Sequence, residues 1–138
     1  MHTSRRSFLR GAGLVAMPMI LPHRLFAQAT KPSNKLNVGC IGMGTQMRGV
    51  MGGFRTQDDV IIRAVCDVDT TRREAGLASM QEFYTAKPER GDAKGIKAYT
   101  DYRELLADSS LDAIIIATPD HWHAIQTLDA LMEKKHVY

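Results

Sequence analysis

The chain has 138 residues, which allows one hydrophobic core and not two. With 44% apolar and 24% charged residues it has the make-up of an ordinary globular protein, which excludes disordered, collagenous and membrane-bundle classes. The net charge of +3 is concentrated at the N-terminus: residues 1–29 hold Arg5, Arg6, Arg10 and Arg24 and no acid, leaving 14 basic against 15 acidic residues beyond them, so no basic patch for a nucleic acid is expected.

Taken in chain order, that first segment joins Ser4-Arg5-Arg6-Ser7-Phe8-Leu9-Arg10 to a mostly apolar stretch, Gly11 to Leu21, and then to Ala27-Gln28-Ala29. A charged start, a short apolar middle and an A-x-A site make a secretory signal, and the paired arginines point to the twin-arginine route. The apolar run falls short of the roughly 20 residues that span a bilayer, and Pro18 and Pro22 interrupt it. The expectation is an exported, periplasmic protein with a signal at residues 1–29, a mature chain beginning near Thr30, and no membrane association after cleavage.

Lys35 to Ile41 is a strand-like run that enters Gly42-Met43-Gly44, after which Met47, Val50, Met51 and Phe54 recur at helical spacing. Gly52 and Gly53 are expected to end that helix. Val60 to Cys66 is a second strand closed by Asp67, and Thr70 or Thr71 is the expected cap of a helix to about Tyr84, with Ala75, Ala78 or Ser79, and Phe83 towards the core. A polar loop, Lys87 to Gly95, precedes a short strand from Ile96 to Tyr99, and Asp101 and Glu104 have capping-box spacing for a helix with Leu105 and Leu106. Leu111 to Thr118 is apolar on both faces, the mark of a central parallel strand. From His121 a helix with Ile125, Leu128 and Met132 on one face is expected, and His136-Val137-Tyr138 begins another strand.

Alternating strands and helices give an α/β fold, a Rossmann-type doubly wound parallel sheet. The expected strand order is 3-2-1-4-5, with a crevice between the carboxyl ends of the first and fourth strands. Cys40 and Cys66 fall on adjacent strands of such a sheet, where pairing geometry rarely suits a disulfide, so two buried thiols are expected.

The glycine turn is the part of the dinucleotide fingerprint that cradles a pyrophosphate at a helix N-terminus, with Met47 departing from the expected Gly or Ala. Gly42, Met43, Gly44, Thr45 and Gln46 are therefore candidate cofactor contacts. Asp67, 23 residues beyond Gly44, has the spacing of the acid that accepts the ribose hydroxyls of NAD and repels the 2′-phosphate of NADP. Thr118, Pro119, His121, Trp122 and His123 come from the fourth strand and are expected to line the nicotinamide end of the crevice. The alternative for Asp120 to His123 is a helix start, with Asp120 as cap and Trp122 in the core. No metal is expected, because no further ligands complete a shell around the two histidines.

Gly42-Met43-Gly44, Val65 to Asp69, Tyr99 to Leu106 and Leu111 to Ala124 together resemble the Gfo/Idh/MocA oxidoreductase family in its exported twin-arginine branch. Within the last stretch Thr118-Pro119-Asp120 and His123 match the family's T-P-N-x-x-H-A, with Asp120 where Asn is frequent. The resemblance implies an NAD-dependent domain, residues 30–138, of an oxidoreductase that acts on a small-molecule sugar, cyclitol or related polyol and is a homo-oligomer when full length. It also implies that the catalytic Lys of a Glu-Lys-Pro motif and an α/β substrate domain lie beyond Tyr138. No catalytic residue is then assigned within this chain, which is expected to be inactive alone. The alternatives are an NAD-dependent glycosidase of the same superfamily and a noncatalytic nucleotide-binding module.

Overall fold

A computed structural model describes residues 35–138, and the expected signal segment lies outside the described residues. Five strands alternate with four helices: β1 (Leu36–Ile41), α1 (Thr45–Phe54), β2 (Val60–Cys66), α2 (Thr70–Ala86), β3 (Lys97–Tyr99), α3 (Tyr102–Leu106), β4 (Ala113–Ile116), α4 (Asp120–Met132) and β5 (His136–Val137). The strands form one parallel sheet in the order β3-β2-β1-β4-β5, as the alternation of elements predicts. Parallel neighbours require crossovers, and the helices supply them on both faces.

Each face carries its own core. Val38, Cys40, Met47, Met51, Ile62, Met80, Tyr84 and Ile115 pack on one side. Ile41, Cys66, Leu105, Leu106, Ile114, Ile116 and Ala130 pack on the other. Cys40 and Cys66 therefore belong to opposite faces and remain free thiols. Burial pushes both up to about 12, so they stay protonated and unreactive at neutral pH.

Several local expectations are corrected. Helix α1 continues through Gly52 and Gly53 to Phe54, because Met51 and the partly buried Val50 and Phe54 hold its last turn against the core. The cap of α2 is Asp69, whose carboxylate accepts from the Arg72 N–H at 3.0 Å, and not Thr70 or Thr71. Its buried face is Gly76, Met80 and Tyr84, one residue later than Ala75, Ser79 and Phe83. Two contacts choose that rotation: Met43 packs directly on Gly76, and the Ile62 N–H donates to the Tyr84 hydroxyl at 2.8 Å in a buried position. Helix α3 has Asp101 as cap, as expected, with its carboxylate accepting from the Arg103 N–H at 2.9 Å.

The largest departure is α4. Ile125, Leu128 and Met132 face outward, with Met132 80% exposed, while Gln126 and Ala130 face the sheet. The small Ala130 lets the helix approach closely. Polar ties hold it: the Tyr102 hydroxyl donates to Asp129 Oδ2 at 2.7 Å, and just past the helix Lys135 Nζ donates to the carbonyls of Asp108 and Leu111.

Candidate functional site

β1 is flanked by β2 on one side and β4 on the other, so the connections leaving their carboxyl ends diverge. A cleft of about 580 Å³ opens there, lined among others by Gly42, Gly44, Asp67, Thr118, Pro119 and Trp122. This is the place where open α/β sheets hold ligands.

The glycine turn is built by close approach. Gly42 has φ +86°, and a Cβ on it would lie 2.8 Å from Thr118 Cγ2 and 2.9 Å from the Ala117 carbonyl oxygen. Only glycine combines that conformation with that clearance. The Gly42 N–H donates to Cys66 O at 2.8 Å and the Ala117 N–H to Ile41 O at 2.9 Å, so β1, β2 and β4 all hold the turn.

Gly44 differs. A Cβ there would meet nothing within 4 Å, so its backbone borders open space. It is the N-cap of α1 and offers no side chain to the free N–H groups that follow. These donors at the positive end of a helix suit an anionic group, and the glycine leaves room for its approach. The residues present thus fit the pyrophosphate of a dinucleotide.

Asp67 occupies the end of β2 and binds the turn itself: its Oδ2 accepts from the Met43 N–H at 2.7 Å, and its Oδ1 from the Asp69 N–H at 2.9 Å. Each carboxylate oxygen keeps capacity for a further donor. The acid at the carboxyl end of β2 is therefore the same group that fixes the glycine turn. Arg73 steadies it from behind, donating to the Asp67 carbonyl at 2.8 Å.

The remaining sequence candidates divide. Met43 is 4% exposed and turns its side chain into the core, contributing only backbone to the turn. Thr45 and Gln46 are exposed in the first turn of α1, outside the cleft lining. His121 and His123 are exposed on the first turn of α4 and also lie outside it. His123 Nε2 sits 2.6 Å from the Thr118 carbonyl, which only accepts, so that nitrogen carries the proton. Trp122 is not in the core: at 43% exposure it forms part of the cleft wall. Asp120 is not the cap of α4, a position held by Pro119. Among the described residues no group of three or more His, Cys, Asp or Glu side chains comes together, and no helix is long and apolar enough to cross a membrane.

The cleft also includes residues that the fingerprint does not mark: Val68, Arg72, Thr100, Arg103 and Gln126. Val68 is 83% exposed beside Asp67. Arg72 and Arg103 stand at the same end, each paired loosely with an acid, Asp69 at 3.9 Å and Asp101 at 3.5 Å. Thr100 was within reach of sequence reasoning, because the carboxyl end of the third strand borders the same crevice. Gln126 gave no such signal.

A model of the Gfo/Idh/MocA oxidoreductase family, NAD-binding Rossmann fold, matches residues 36–138. A glycosyl hydrolase family 109 protein of Shewanella pealeana is 27% identical, covering 100% of this chain and 33% of the relative. An alpha-N-acetylgalactosaminidase of Shewanella oneidensis is 26% identical, covering 97% of this chain and 32% of that protein. Among solved structures, a probable dehydrogenase from Thermotoga maritima superposes with a TM-score of 0.60 at 26% identity, covering 74% of this chain and 27% of that one. The chain spans about a third of the length of these curated relatives.

Proposed function

The chain belongs to the Gfo/Idh/MocA oxidoreductase family, and from that premise we propose that its cleft binds NAD in preference to NADP, as the nucleotide-binding part of an enzyme acting on a sugar or polyol. The observation that carries the reading is the joint between Asp67 and the Gly42-Met43-Gly44 turn. Phosphate donors and a ribose-facing carboxylate meet in one rigid unit, and the carboxylate disfavours a 2′-phosphate by charge. The cofactor supplies a hydride acceptor or donor when bound. The chain's own residues bind and orient it: the N–H groups at the start of α1 hold the pyrophosphate, Asp67 the adenosine ribose, and Thr118, Pro119 and Trp122 the wall of the nicotinamide half. The general acid or base and the sugar pocket are assigned to no residue between Lys35 and Tyr138.

A second reading, a glycosidase in which hydride transfer is internal and NAD is regenerated, is favoured by the names of the curated relatives. The protein is proposed to be exported by the twin-arginine route, to assemble as a homo-oligomer in its full-length form, and to carry its acid/base machinery beyond Tyr138.

Calorimetric titration of NAD+ and NADP+ into the wild type and Asp67→Ala tests the cofactor assignment. Tighter NAD+ than NADP+ in the wild type, and a larger loss for NAD+ than for NADP+ in the variant, is expected. Equal losses for both would remove Asp67 from the ribose. Release of a chromophore from an aryl glycoside without net NADH, by protein carrying the whole reaction, would decide for the second reading.

A further inference from the structure

Gln126 is 4% exposed, on the sheet-facing side of α4, and lines the cleft. A buried glutamine needs partners for two donor hydrogens and an acceptor oxygen. Its Oε1 is satisfied by the Thr118 hydroxyl, which donates at 2.6 Å. Among the described residues its Nε2 has no protein partner. Yet no described side-chain nitrogen or oxygen is both sealed from solvent and unpaired, so the amide nitrogen reaches the opening that Gln126 lines. Thr118, whose hydroxyl donates to that oxygen, is the residue whose methyl group abuts Gly42. The donor therefore stands at the divide between β1 and β4, beside the phosphate turn and on its β4 side.

Resting on the cofactor reading above, we infer that Gln126 is a positioning residue that donates from Nε2 to an oxygen of the nicotinamide-side ribose phosphate. A leucine there would satisfy packing without leaving an amide nitrogen that has no protein partner. The arrangement also explains why α4 turns its apolar residues outward: the polar residue is the one the crevice uses.

The test is a ladder of ligands, AMP, ADP-ribose and NAD+, titrated into the full chain as wild type, Gln126→Leu and Gln126→Glu, with circular dichroism to check folding. Loss of one hydrogen bond should weaken ADP-ribose and NAD+ by about 5- to 10-fold in Gln126→Leu and leave AMP, which lacks the nicotinamide-side phosphate, within about twofold. Gln126→Glu keeps the acceptor for Thr118 but loses the donor, so NAD+ affinity should fall at neutral pH and recover as the carboxyl is protonated. Unchanged NAD+ affinity in Gln126→Leu, or an equal loss on all three ligands, overturns the inference and leaves the cofactor reading standing. Failure of the wild type to bind NAD+ overturns both.

Discussion

Helix α1 presses Met47 and Met51 into the core, whereas α4 presents Gln126 and Ala130 to the sheet and turns Ile125, Leu128, Leu131 and Met132 to the outside. Burying a methionine side chain is worth about 1.5–3 kcal/mol, so α1 is attached mainly by apolar burial. An alanine and a hydrogen-bonded glutamine offer much less, and the attachment of α4 leans on the polar ties of Tyr102 to Asp129, Thr118 to Gln126, and Lys135 to two carbonyls. One side of the cleft is thus a packed support and the other a hydrogen-bonded one. Packing holds the glycine turn rigid, while directional bonds on the opposite wall aim individual donors.

The strongest perturbation should be Gly42→Ala, which strikes the point where the two sides meet. A Cβ at φ +86° is strained and collides with the Ala117 carbonyl, so a loss of about 3 kcal/mol in urea unfolding is expected, together with loss of nucleotide binding. Next comes the contrast itself. Met47→Ala should cost about 2–5 kcal/mol and Leu128→Ala less than about 0.5 kcal/mol. Equal costs would erase the distinction between the helices.

The end of α4 carries strain of its own. Lys134 has φ 58°, in the left-handed region that glycine tolerates, and Lys134→Gly should stabilise the protein by about 1 kcal/mol, read as a rise in the urea midpoint. The smallest effect is confined to acid. Hydrogen bonds from Lys97 and Ser110 hold the Asp108 carboxyl well below the usual carboxylate range. Its contribution is present above the unfolded value near pH 4 and is lost as pH falls towards the lower folded value, because the unfolded chain takes up the proton first. Asp108→Asn should therefore flatten the acid limb of the stability curve and leave the alkaline limb as it was.

The strand order, the parallel pairing, the glycine turn and the helix spacing of Met47 and Met51 were readable from residue pattern, because apolar runs, glycines and periodicity report directly on them. Rotations of helices about their axes were harder to read. On α2 a one-residue rotation was set by a buried hydroxyl on Tyr84 and a gap at Gly76, neither of which hydrophobic periodicity detects. On α4 the rule that apolar residues face inward pointed the wrong way, since Gln126 counts as a surface residue until its partner is known. The fingerprint acid was legible by spacing, but its bond to the Met43 N–H was not, because that bond depends on how the turn folds back over β2.

Hydrogen exchange across the chain, with and without saturating NAD+, tests the central claim most directly, because it reports where a ligand sits without presuming what the protein does with it. Protection is predicted in Gly42 to Met47, at Asp67 to Asp69 and from Thr118 to Gln126, with no change at Asp108 to Leu111 on the opposite end of the sheet. Protection confined to the outer face of α4, or none at the glycine turn, would contradict the account.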